Sequence, residues 1–207
     1  MPDLGYNYFP NTIGYYAIYQ VDSIVYNLPF NKIDTFKFQV KELLESYYTD
    51  SEEKNTTRIV RYYRNKSTDS WQIRNVWAQR VSATKAERQE ENIRFIKLIF
   101  PVKKNTRWNI NSVNTLEPQI AKIEETEADF ELDGNMYPHT CMINLGIDTN
   151  LITYKKHYEF YSRGIGLVYS ELYDVASNTI DANKPSVLQR IETGVICKRK
   201  LIEYNNP

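Results

Sequence analysis

The stretch "KKHYEFYSRGIGLVYSELYDV", Lys155 to Val175, decides how the whole chain is read. Its centre, Gly164-Ile165-Gly166, is either a phosphate-cradling loop or a bend between strands. A dinucleotide loop needs three spaced glycines and a helix directly after them, so that backbone N–H groups and the helix dipole face the phosphate. Here Leu167-Val168-Tyr169 follows, with no third glycine and no Gly-Lys-Ser/Thr. Apolar and aromatic residues instead recur with period two on both sides, which is the signature of strands. Two glycines between such runs permit positive φ, a tight turn or a bulge. The stretch therefore predicts neighbouring antiparallel strands over 154–163 and 167–175, with the glycines in or beside their connection.

The same period governs most of the chain. In "GYYAIYQVDSIVYN", Tyr15, Ala17, Tyr19, Val21 and Val25 alternate with Tyr16, Ile18, Gln20, Asp22 and Ile24. In "IDTFKFQVKELLES", Phe36, Phe38 and Val40 face one way and Thr35, Lys37, Gln39 and Lys41 the other, a strand with one wet face. Its end, 42–48, has a helical alternative. "RIVRYYRN" and "WQIRNVWAQRVS" form a hairpin over the polar turn "KSTDS", with Trp71, Ile73 and Trp77 on one face and Arg74 and Arg80 on the other. Residues 83–91 have good helix propensity and read as a charged loop or a single helical turn before a strand over 92–100. "KKNTRWNINSVNTLEP" is a polar loop anchored by Trp108, and "QIAKIEETEADFEL" gives one or two strands. "DGN" marks a turn, "TCMINLGI" a short strand, and "GVICKRKLIEY" the last strand. "ASNTIDANKPSVLQR" is a loop with room for one short helix. Turn signals at short spacing, without a long amphipathic helix, predict a mainly β fold: a curved antiparallel sheet, barrel or half-barrel.

Composition bounds the function. A chain of 207 residues with 42% hydrophobic residues makes one β-rich domain, placed at 14–207, behind an irregular lead-in or tether at 1–13. Seventeen tyrosines suit a half-buried pleated surface, the ring packed and the hydroxyl wet. Lys plus Arg equals Asp plus Glu at 26 each, so no net field draws the chain to nucleic acid or anionic lipid, and no nucleic-acid partner is expected. No window of ~18 apolar residues could cross a membrane as a helix. Met1-Pro2-Asp3 runs straight into polar and aromatic residues, so the sequence as it stands begins after any leader or belongs to the cytoplasm. Two cysteines, Cys141 and Cys197, form neither a disulfide scaffold nor a zinc framework, and spacing alone does not say whether they bridge.

Candidate chemistry is sparse. His139-x-Cys141, His157 and Cys197 are the soft-ligand candidates, at spacings that fit no zinc site, so no metal and no cofactor is expected. No Gly-x-Ser-x-Gly occurs, and no catalytic residue is assigned. Glu52-Glu53, Glu90-Glu91 and Glu124-Glu125 are sequence neighbours, which in strands face opposite sides and read as solvated surface. The best constellation is Arg58, Arg61, Arg64, Arg74 and Arg80 beside Tyr62, Tyr63, Trp71 and Trp77. Basic and aromatic groups on adjacent strands suit a glycan, a polyanion or single-stranded nucleic acid; a sheet with aromatics inside and arginine stems outside explains them as well. Tyr62, Trp71, Trp77 and Arg74 are the ligand-binding candidates.

"YFPNTIGYYAIYQVDSIVYN", "RIVRYYRN", "ERQEENIRFIKLIFPV" and "YSRGIGLVYSE" resemble a group of uncharacterised lipoproteins of Bacteroidetes, and the resemblance spans most of the chain. In that group a leader ending at a lipidated cysteine precedes such a Tyr/Pro-rich start; that cysteine is not in this sequence. The resemblance implies a periplasmic or outer-membrane-tethered domain, its only membrane contact through the removed anchor, and no known activity. Together with the β-rich pattern this gives two expectations. One is an envelope-associated binding or structural domain, with a small hydrophobic ligand or a glycan as partner. The alternative is a hydrolase of envelope polymers, built on His157 with Glu159 or Glu171.

Overall fold

A computed structural model describes residues 3–207. Twelve strands form one antiparallel sheet: β1 (Tyr16–Asn27), β2 (Lys32–Thr49), β3 (Asn55–Arg64), β4 (Gln72–Val81), β5 (Lys85–Glu90), β6 (Ile93–Ile99), β7 (Arg107–Asn109), β8 (Ile120–Leu132), β9 (Asn135–Thr149), β10 (Thr153–Ser162), β11 (Gly166–Ala176) and β12 (Thr193–Tyr204). The order runs β6-β5-β4-β3-β2-β1-β12-β11-β10-β9-β8-β7, so the two edges, β6 and β7, are consecutive in the chain. The sheet curls until these edges meet. Ile96 N–H donates to Ile110 O at 2.9 Å, Trp108 Nε1 to Ile96 O at 2.9 Å, and Asn114 Nδ2 to Arg94 O at 2.7 Å. One backbone and two side-chain bonds thus close a barrel that the ladder leaves almost shut, which blunts the exposed-edge liability of an open sheet. Residues 187–189 form a short 3-10 turn capped by Ser186.

Residues 154–163 and 167–175 are paired strands, and the glycines make their turn. Tyr161 faces Leu167 and Phe160 faces Tyr169, with a bulge between the two pairs. Both glycines have positive φ, 72° at Gly164 and 87° at Gly166. The Asp133-Gly134 turn also has positive φ at both positions, as a tight hairpin requires.

One open alternative closes and two local readings change. The 42–48 segment is strand, because Glu42 pairs with Ala17 on one side and Arg61 on the other. Residues 83–91 are not a helical turn: β5 sits between β4 and β6, with Ala86 fully buried opposite Leu98. Long-range pairing outweighs helix propensity in both places. "TCMINLGI" is the middle of the long strand β9. Its partner β8 bulges repeatedly between Ile123 and Phe130, with positive φ at Glu127 and His139. The far end of this hairpin lies over the outer side of the sheet. There Phe130 stacks on Phe160 at 4.4 Å, and Lys200 bonds Asp133.

The lead-in belongs to the fold. Residues 3–13 cross one end of the barrel as a plug, with Tyr8 fully buried and Phe9 3% exposed. Each such ring contributes on the order of 2–3 kcal/mol by burial. The plug's backbone is tied to the connections at that end: Gly164 N–H donates to Asn7 O at 2.8 Å, Val102 N–H to Leu4 O at 3.0 Å, and Gln79 Nε2 to Pro10 O at 2.7 Å. Met1 and Pro2 lie outside the described residues. At the opposite end, the β1–β2, β3–β4, β5–β6, β7–β8, β9–β10 and β11–β12 connections ring a mouth without such a plug. Leu28, Phe30, Leu151 and Ile180 are exposed around it, Phe30 by 80%.

Candidate functional site

Direct pairing puts opposed residues on one face of a sheet. Along β1 and β2 the inward face carries Tyr19, Val21 and Ser23 opposite Val40, Phe38 and Phe36. The same face continues through Arg199 and Cys197 on β12, and Glu159 and His157 on β10. Near the plug this face is filled by the core: Leu44, Ile59, Leu98, Ile123, Ile143 and Leu167. Near the mouth it is open, with Val25 and Phe36 exposed beside Ser23 and Asp34 on the same face. A pocket of about 180 Å³ lies between the β6–β7 seam and β9–β10, lined by Phe95, Ile110, Leu145, Lys97, Glu90 and His157.

Between the closed and open halves lies a layer of charge. Glu42, 5% exposed, takes Arg61 Nε at 3.2 Å, Arg88 Nη1 at 3.1 Å and Arg199 Nη2 at 2.5 Å. Three strands besides its own thus converge on one carboxylate across the barrel. Burial alone would raise the Glu42 pKa; Arg199, Arg88 and Arg61 overcome it and hold the group well below the usual carboxylate range. Beside it Lys97 Nζ bonds Glu159 at 2.8 Å and stands 3.8 Å from Glu90, while Tyr161 OH donates to Glu159 at 2.7 Å. Lys97 is the extra residue of a bulge in β6, the device by which a strand re-aims a side chain. The guanidinium groups also lie on rings: Arg61 3.5 Å from the Trp77 centroid and Arg199 3.9 Å from that of Tyr19.

The sequence-chosen residues are divided by this arrangement. Trp77 belongs to the inner wall, under Arg61, with its Nε1 on Glu91 at 3.1 Å. Trp71 precedes β4 and packs under Arg64 at 4.1 Å, while Arg74 stands 5.4 Å from the Tyr63 ring. Tyr62 pairs with Ile73 beyond a bulge. These three sit by the β3–β4 turn at the mouth, apart from the charged layer. Arg80 turns outward to Glu87 at 2.6 Å, and Arg61 turns inward rather than covering the outside. Glu90 is likewise part of the interior rather than solvated surface.

The soft-ligand candidates do not meet. His139 Nδ1 bonds Glu127 at 3.0 Å, Cys141 is fully buried in the core, and the two cysteines are unbridged. Among the described residues no cluster of three or more His, Cys, Asp or Glu is arranged for a metal. The hydrolase pairing does not assemble either. His157 faces Leu172, whereas Glu171 faces Tyr158 on the other side of β10 and is bound by Lys156. Glu159 is engaged by Lys97 and Tyr161. Burial lowers the His157 pKa, which keeps the ring neutral near pH 7.

No family model matches the chain, and no curated protein does. A crystal structure of a candidate exported protein with a YmcC-like fold, from Bacteroides fragilis, aligns with a TM-score of 0.50. The identity is 11%, over 95% of this chain and 98% of the other. A candidate lipoprotein of Parabacteroides distasonis aligns with a TM-score of 0.41 and 13% identity, over 96% of this chain and 98% of that one. The first likeness extends over the whole barrel and speaks for a shared architecture. It comes from the same bacterial group as the lipoproteins that the sequence resembles.

Proposed function

We propose that this chain is an envelope-associated binding domain that holds a small hydrophobic ligand in the open half of its barrel. One observation carries the reading: the inner wall presents Val25, Phe36 and Phe38 toward the mouth, although no core fills it. Apolar surface kept at a concave site is the usual mark of a ligand pocket. Trp77 lies on this wall and Arg74, beside the inward Tyr63, stands near the mouth, whereas Tyr62 and Trp71 lie on the outer face. The envelope location, periplasmic or at the outer membrane, draws on the sequence resemblance and on the exported character given to the Bacteroides neighbour.

The test is direct. The chain, purified without detergent, is examined by native mass spectrometry and then titrated with N-phenyl-1-naphthylamine, a neutral probe that brightens in apolar pockets. Saturable binding that Phe36→Asp weakens supports the reading. Absence of both a co-purified lipophile and probe binding overturns it. Fractionation of the native cells decides the location separately.

A further inference from the structure

The charged layer holds more positive charge than its own carboxylates need. Arg61, Arg88, Arg199 and Lys97 face Glu42, Glu90 and Glu159, four cations against three carboxylates. Of the other titratable groups on this face, His157, Cys197, Tyr19 and Tyr161 are neutral, and Asp174 and Lys155 neutralise each other at 3.1 Å nearer the mouth. Glu91 sits one step out, on the exposed β5–β6 turn against Trp77, where solvent screens it. An ion cluster of this kind is weak grounds for stability, because apolar residues of similar volume often do as well. The excess calls for a different account.

The hydrogen bonding points the same way. Arg88 Nε and Arg199 Nε are buried donors with no partner. Of the N–H groups on Arg199, only those of Nη2 are engaged, and Arg61 adds only Asn75 Oδ1 to its bond with Glu42. A guanidinium has five N–H groups in a planar fork, so most of this capacity is unspent. The layer is not sealed either: the Arg61, Arg199 and Lys97 side chains are 13%, 19% and 16% exposed. On the plug side the void lined by Glu42, Arg88, Tyr19 and Tyr161 measures only about 20 Å³, room for one water. A larger anion must therefore arrive from the mouth, along the apolar wall.

We propose that Arg61, Arg199 and Lys97 seat an oxyanion head group, a carboxylate or phosphate monoester, whose apolar tail lies along Val25, Phe36 and Phe38. Arg61 Nε and Arg199 Nη2 meet at Glu42 Oε1, and the N–H groups they leave free suit a two-oxygen acceptor. A carboxylate's single negative charge brings the layer to neutrality, and a phosphate monoester overshoots it by up to about one charge. The inference rests on the hydrophobic-ligand reading and names the head group that this reading leaves open.

The full chain is titrated with dodecanol, dodecanoate and dodecyl phosphate below their micelle concentrations, and with inorganic phosphate. Both anionic amphiphiles are expected to bind roughly tenfold or more tighter than dodecanol, with the advantage shrinking as salt rises. A larger gain for one of the two identifies the head group as carboxylate or phosphate. Arg199→Gln is expected to erase the advantage while dodecanol binding persists. Equal affinity of all three amphiphiles overturns the head-group site and leaves the hydrophobic pocket standing. Binding of inorganic phosphate without any amphiphile supports the anion seat and overturns the pocket. The wild-type comparison decides the matter even where the variant fails to fold.

Discussion

Lys97 and Glu159 meet at 2.8 Å inside the barrel, a bond that joins edge strand β6 to β10. Burial alone would raise the Glu159 pKa; Lys97 outweighs it, and the value falls to about 2. A carboxylate depressed on folding binds fewer protons folded than unfolded. Its contribution is full above its ordinary value near 4.5 and drains away as pH falls toward 2. A shift of that size corresponds to on the order of 3 kcal/mol. Glu42 acts in the same direction. His157, depressed by burial from 6.5, adds a loss that begins below about pH 6.5. Thermal melts from pH 8 to pH 3 should therefore show a falling Tm, steepest below 4.5. A flat profile to pH 3 contradicts the buried layer.

Removing the central carboxylate alone should be worse than removing it together with one of its cations. Glu42→Gln leaves Arg61, Arg88 and Arg199 facing one another without their shared anion. Breaking a buried ion cluster on one side costs about 3–5 kcal/mol. A Glu42→Leu/Arg199→Met double variant should regain part of that loss, because an unpaired buried charge is gone. Urea denaturation measures both. A double variant less stable than Glu42→Gln would contradict the assignment.

The strands and the hairpin at Gly164–Gly166 were legible because period-two patterning is local information. The charged layer was legible only in parity. Glu42 continues the even-numbered face of Phe36, Phe38 and Val40, and Arg199 shares the odd-numbered face of Cys197 and Leu201. A charge on an apolar parity is a signal available in the sequence. What it pairs with is not, since Glu42 and Arg199 lie far apart in the chain and meet only when β12 docks on β1 beside β2. The strand at 85–90 was illegible for a related reason. Its sequence favours a helix, and its state is fixed by Val81 and Leu98 on either side of Ala86. Bulges hid Lys97 as well, because one extra residue resets which face a side chain takes.

The two turn glycines should differ sharply in tolerance. Both have left-handed φ, so an L side chain is strained at either. At Gly164 a Cβ meets nothing within 4 Å, whereas at Gly166 it falls 2.8 Å from Pro10 Cδ. Gly164→Ala should cost about 1 kcal/mol through backbone strain alone. Gly166→Ala should cost more, and should also loosen the plug, seen as faster hydrogen exchange over residues 5–11. Equal costs, with no change in the plug, would show that the Pro10 contact carries no weight.

The kinked β8–β9 hairpin should behave as a separately opening unit. Its far end is held to the outside of the barrel by Phe130 against Phe160 and Tyr169, and by Asp133 with Lys200. That ion pair has an exposed partner, so the ring stack carries most of the hold. Phe130→Ala removes a half-buried ring whose neighbours Phe160 and Tyr169 still pack against each other at 5.6 Å. The loss should therefore be felt at the hairpin rather than in the barrel. Hydrogen exchange over residues 128–139 should speed up, while the global Tm falls by only a few degrees. Regions with few buried contacts open at lower free energy than the global unfolding. Uniform acceleration across β1, β2 and β12 would instead make the hairpin part of the cooperative core, and the outward fold-back a determinant of barrel stability.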